Sequence, residues 1–117
     1  MAVKQFVHQE ALVEGDIYKV EELATGDESS VLTINEGNCE VTVHVYGTVG
    51  ASTVTVQGSL LGTVFATLDD AYGVTMSYTA IGVIKPVGPG VTKLKVVVTG
   101  GAGVDIDADV YIVRKVR

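Results

Sequence analysis

Hydrophobic and polar positions alternate along much of this chain. In Glu40 to Tyr46 the side chains of Val41, Val43 and Val45 share one side, opposite Thr42, His44 and Tyr46. In Val104 to Val113 the apolar set Val104, Ile106, Ala108, Val110 and Ile112 opposes Asp105, Asp107, Asp109 and Tyr111, and Ser52 to Ser59 repeats the pattern with Val54 and Val56. A period of two predicts strands with one buried face. Turn signals separate these runs at Gly15-Asp16, Thr25-Gly26-Asp27, Asn35-Glu36-Gly37-Asn38, Gly47 to Gly50, Leu61-Gly62, Asp69-Asp70 to Gly73, Gly88-Pro89-Gly90 and Gly100-Gly101-Ala102-Gly103. Val96-Val97-Val98 places apolar side chains on both faces of its strand, and Gly82 to Val87 is richer in them than a solvated edge needs. Closely spaced strands without a convincing helical stretch predict an all-β fold: a single antiparallel β-sandwich or jelly-roll-like domain.

Helix competes only around His8 to Glu14, and Gly15-Asp16 would stop it within a turn or two. Residues 1–30 therefore read as an N-terminal arm plus an opening strand around Ile17 to Leu23, packed on the domain or on a neighbour. Residues 31–117 form the sandwich.

Composition supports this reading. The chain has 117 residues and 12.2 kDa, room for one core. Val, Thr and Ile supply 41 of them, and such side chains pack well on a pleated surface but lose freedom in helices. With 47 % hydrophobic and 19 % charged residues, the chain is too apolar for disorder. The net charge of −6 and a pI near 4.7 argue against a nucleic-acid partner, which would be sought by a basic surface. No apolar run approaches the roughly 20 residues that cross a bilayer, and the N-terminal sequence lacks the order of a signal peptide, so no membrane partner is expected. The single cysteine, Cys39, cannot close an intramolecular disulfide, which suits a reducing cytoplasm or a particle assembled there.

The charge divides along the chain. Residues 1–40 carry nine acids and two bases, a balance of −7, whereas residues 41–117 carry five acids and six bases, a balance of +1. One reading is a solvated acidic face that maintains solubility. The other is an interface between copies, in which Glu10, Glu14, Glu21 and Glu22 of one meet Lys85, Lys93, Lys95, Arg114, Lys115 and Arg117 of the next. Complementarity of that kind sets register and steers association.

Chemistry is sparse. The histidines are His8 and His44, without a metal-ligand spacing, so no metal centre is expected. Ser29, Ser30, Ser52, Ser59 and Ser77 lack a nucleophile elbow, and with no acid–base constellation to name, neither catalysis nor a cofactor is expected. Cys39 reads as a small semi-buried apolar residue rather than a reactive thiol. Asp105, Asp107 and Asp109 lie about 7 Å apart on one strand face, too straight for a calcium loop. They are expected to pair with Lys93 and Lys95 across a hairpin closed by the flexible turn Gly100 to Gly103. The turn lacks the helix and lysine of a phosphate-binding loop.

The stretch Val54-Thr55-Val56-Gln57-Gly58-Ser59-Leu60-Leu61-Gly62-Thr63-Val64-Phe65-Ala66-Thr67-Leu68, with Lys93 to Gly101 and Asp109 to Ile112, resembles small β-sandwich virion structural proteins of tailed bacteriophages. It departs from their hairpin pattern at Leu61, where Asp is common, and at Phe65, where Trp is common. Both changes weaken a sugar-binding reading. The resemblance implies a virion component of the head surface, assembled in the host cytoplasm. The expected type is a capsid decoration (cement) or head-fibre protein that sits as a homotrimer on the major capsid protein. The alternative is a carbohydrate- or host-receptor-binding fibre module, with Tyr72 and Tyr78 as its best aromatic candidates.

Overall fold

The computed structural model describes residues 2–12, 15–34, 39–48, 50–80, 82–88, 91–101 and 104–114. Among them the strands are β1 (Val3–Lys4), β2 (Val7–Ala11), β3 (Gly15–Leu23), β4 (Glu28–Ser29), β5 (Leu32–Thr33), β6 (Cys39–Thr48), β7 (Thr53–Ser59), β8 (Ala66–Thr67), β9 (Ser77–Tyr78), β10 (Val83–Pro86), β11 (Lys93–Thr99) and β12 (Asp105–Arg114). They form two sheets. Sheet A runs β1-β4-β11-β7-β8, with β5 also on β11 and β9 also on β7; sheet B runs β10-β6-β12-β3-β2. Apart from the short β1–β4 pair, which is parallel, the named strand pairs are antiparallel.

The alternation read from the sequence is the alternation of burial. Val41, Val43 and Val45 of β6, with Ile106, Ala108 and Val110 of β12 and Val20 and Leu23 of β3, meet Val54 and Val56 of β7 and Leu94, Val96 and Val98 of β11. These side chains fill the space between the sheets, as in a face-to-face sandwich. Met76 and Val87, from outside the longest strands, complete the same core. The fold is thus an all-β sandwich.

Both flanks are closed by chain that passes from one sheet to the other. On one flank the arm pairs first in sheet A, through β1 on β4, and then in sheet B, through β2 on β3. The buried Asp27 carboxylate fastens it, accepting the N–H of Ala2 and that of Ala24, each at 2.9 Å. Those two backbone donors, Ala24 first, hold the Asp27 carboxyl below its ordinary value. Ser30 Oγ accepts the Phe6 N–H at 2.9 Å. On the other flank the turn at 69–75 leaves the β7 edge and reaches β10, where Ala71 N–H donates to the Pro86 carbonyl and Asp70 bridges to Val87.

One expectation fails. Lys93 and Lys95 do not form a hairpin with Asp105, Asp107 and Asp109, because β11 lies in sheet A and β12 in sheet B. Both edges of β11 are already occupied, one by β7 and the other by β4 and β5. Each strand has to present its apolar side chains to a common core from opposite sides, so the lysines and aspartates point to opposite outer faces. The connection turns sharply at Gly100 and Gly101, both at positive φ (72° and 73°), and a Cβ on Gly101 would stand 2.7 Å from the Ser52 backbone nitrogen. The Thr25 hydroxyl, within hydrogen-bonding distance of both glycine carbonyls, ties down this sheet-to-sheet crossing.

Candidate interaction faces

The outer face of sheet B carries a polar network. Register places His44 of β6, Asp109 of β12 and Lys19 of β3 in one row across the sheet. Tyr46 lies one step along β6, and its hydroxyl donates to the Asp109 carboxylate, with 3.1 Å to each oxygen. The Lys19 ammonium lies 5.5 Å from the Tyr46 ring centroid, and the rings of His44 and Tyr46 are 4.8 Å apart. Burial, then the Asp109 charge against the opposing pull of Lys19, pushes the Tyr46 phenol up. Lys19 is also raised, chiefly by Tyr46 and then by the carboxylates of Asp109 and Glu21.

A bulge continues this network. Between Val20 and Leu23, two residues of β3 face one of β12, and Glu22 adopts the left-handed conformation at φ 60°. Its N–H, turned out of the ladder, donates to Asp107 at 3.0 Å. Gly47 of β6 lies opposite Ile106 on the other side of β12. A Cβ there would meet the Asp105 carbonyl oxygen at 2.2 Å, so this close approach of backbones requires glycine.

The outer face of sheet A differs. It is rich in threonine, and the Lys95 ammonium lies 3.3 Å from Glu28 Oε2 and 4.5 Å from the Phe65 ring centroid. Lys93 Nζ donates to Thr33 Oγ1 at 3.1 Å. Beside these lysines the β7–β8 connection carries Leu60, Leu61 and Val64 into solvent, 69, 85 and 80 % exposed. These three are the interaction candidates that the sequence reading missed. The signal in the sequence is Leu61 itself, an apolar residue at a turn position where the resembling pattern has Asp.

The charged residues expected to form an interface are dispersed. Glu10 is exposed on β2, and Glu21 and Glu22 are exposed at the β3 bulge. Lys85 is half-buried on the edge strand β10, opposite Val43. Lys93 and Lys95 are on the other sheet. Arg114 ends β12 opposite Cys39, while Glu14, Lys115 and Arg117 lie outside the described residues. No group of three or more metal-ligating side chains is brought together among the described residues. Of the two aromatic candidates, Tyr72 is 77 % exposed and held by its N–H to Asp70 at 2.8 Å. Tyr78 is no platform: its hydroxyl is buried without a hydrogen-bond partner, and burial, then Asp70, raises its pKa. A shallow groove of about 230 Å³ between the arm and β3 is lined by Lys4, Gln5, Val7, Gln9, Lys19 and Glu21.

No protein-family profile matches the chain, and no curated protein matches its sequence. Its fold is similar to that of the SPBc2 prophage-derived protein YomS, with a TM-score of 0.65 at 11 % sequence identity. The likeness covers 89 % of this chain and 99 % of YomS, so the two share the sandwich architecture over nearly the whole of the smaller partner.

Proposed function

We propose that the protein is a non-enzymatic structural component of a tailed-phage virion, a capsid decoration protein that binds the major capsid protein and stabilises the head shell. The observation that carries this reading is the fold shared with a prophage-derived protein along 99 % of that protein's length. The resemblance of Val54 to Leu68 and of the last strand pair to virion β-sandwich proteins agrees with it. A decoration protein needs a rigid scaffold and a surface that meets other proteins, and the flank-sealed sandwich with an unburied apolar tip supplies both. Self-association as a trimer is part of the proposal, motivated by the division of charge along the chain into an acidic first third and a near-neutral remainder.

Co-sedimentation with purified expanded shells, together with analytical ultracentrifugation of the free protein, tests the reading. Shell binding and a trimer are the expected results. A protein that stays monomeric at high concentration and leaves the shells bare sinks it.

A second reading, a glycan-binding fibre module, is favoured by one feature, the exposed ring of Tyr72 beside the exposed Val74 on the 69–75 turn. A glycan array with the wild type and Tyr72→Ala separates the two: hits lost in the variant support the module, and an empty array retires it.

A further inference from the structure

The tip between β7 and β8 is braced by hydrogen bonds within it and from Thr92, although its Leu60, Leu61 and Val64 side chains are in water. Ser59 Oγ accepts the Gly62 N–H at 2.9 Å, and the Thr92 hydroxyl lies within hydrogen-bonding distance of the carbonyls of Leu60 (2.6 Å) and Ser59 (3.2 Å). Gly62 reverses the chain at φ 85°, a conformation other residues adopt at a cost, and lies against the Lys93 stem. Leu60, Leu61 and Val64 therefore project from a preformed turn. A contact made there does not have to fix the loop first, which removes one of the usual costs of association.

The charge around the tip defines what it fits. From Val41 to Leu68 the sequence has no Asp, Glu, Lys or Arg. The cations that border the tip are Lys93 and Lys95, and Lys95 is already paired with Glu28. A complementary surface is an apolar hollow with carboxylates on its rim. Among the described residues, a second copy of this chain does not offer one. Its exposed acids Glu10, Glu21, Glu22, Glu40 and Asp105 lie along the strands of sheet B and Asp69 on the 69–75 turn, and its groove between arm and β3 sets two lysines, Lys4 and Lys19, of the same sign as Lys93, against one carboxylate, Glu21.

We propose that this tip is the seat of the protein on the shell: Leu60, Leu61 and Val64 insert into an apolar, acid-rimmed hollow on the outer surface of the capsid protein, with Lys93 facing the rim. This rests on the decoration reading. Because the three side chains are in solvent, substituting them leaves the core intact, and the variants are expected to melt with the wild type.

The test is co-sedimentation of Leu61→Asp, Leu61→Asp/Val64→Asp, Leu61→Met and Lys93→Glu with purified DNA-free shells of the phage or prophage encoding the chain. The expected result is that Leu61→Met binds as wild type and the aspartate variants bind at least about tenfold more weakly, as the loss of a central apolar anchor does. Lys93→Glu is expected to bind more weakly at low salt and to approach wild type as salt screens the rim. If wild type binds and the double aspartate variant binds equally well, the seat is overturned while the decoration reading stands. If wild type does not bind shells, the decoration reading falls and this inference with it. Binding to phosphatidylglycerol vesicles in place of shells, abolished by Leu61→Asp, would reassign the tip to a lipid surface.

Discussion

The outer face of sheet B and the β7–β8 tip treat solvent in opposite ways. On the sheet face, side chains that water would solvate are bonded to one another: Tyr46 to Asp109, and Asp107 to the Glu22 backbone at the bulge. At the tip the Gly62 N–H is bonded to Ser59 and the Ser59 and Leu60 carbonyls lie on the Thr92 hydroxyl, and what faces water is leucine and valine. The difference separates two roles of an exposed surface. A face that pairs its own polar groups contributes to its own sheet, whereas an ordered apolar tip lowers its free energy only by meeting another surface.

The widest separation is expected between buried and exposed leucines. Leu94, fully buried on β11, should cost about 2–5 kcal/mol when replaced by Ala, while Leu61→Ala should change stability by less than about 0.5 kcal/mol. Urea unfolding of the two variants measures this, and a large loss for Leu61→Ala would mean that the tip is part of the fold. The arm flank comes next, through pH. The Asp27 carboxyl is held below its ordinary value of 3.8 by backbone donors, so its contribution is present above that value and is lost as pH falls through the lower folded value. Melting temperature followed from pH 6 down to pH 2 should show an acid-side loss in wild type that Asp27→Asn lacks; identical profiles would exclude Asp27 as the fastening of the arm.

Smaller effects probe the face of sheet B and its counterpart on sheet A. Tyr46→Phe removes the hydroxyl bonded to Asp109 and should cost about 1 kcal/mol in denaturant unfolding, with the fold unchanged. No loss would show that water serves Asp109 equally well. Glu28→Gln, which breaks the ion pair with Lys95, should cost less than about 1 kcal/mol, and that loss should shrink at high salt. A salt-independent loss would point instead to the packing of Lys95 on Phe65.

Much of the fold was legible because one face of each long strand is buried. Cys39–Thr48, Thr53–Ser59 and Asp105–Arg114 follow the alternation of Val41 to Val45, Val54 to Val56 and Val104 to Ile112 almost residue for residue. The opening strand around Ile17 to Leu23 is β3. Partnership was not legible from the same pattern. Period-two alternation states which side of a strand is buried, yet it is silent on which strand lies beside it. Neighbours in sequence joined by glycines looked like a hairpin at Lys93 to Asp109, and they belong to different sheets. The tip was missed for a related reason: Leu60, Leu61 and Val64 are apolar in a run of apolar and neutral residues, and nothing local distinguishes a leucine in the core from one in water.

The sequence by itself determined that the chain is a β protein, which residues of its long strands face inward, and that its charge is divided between an acidic first third and a near-neutral remainder. These follow from side-chain chemistry and a period of two, which are local properties. Only the tertiary structure decided that Lys93 and Lys95 stand on the opposite face from Asp105, Asp107 and Asp109. It also decided that Asp27 and Ser30 fasten the arm, and that three apolar side chains project from a braced turn. Those outcomes depend on which surfaces remain after distant strands have packed around a common core, a property that no short stretch of the chain contains.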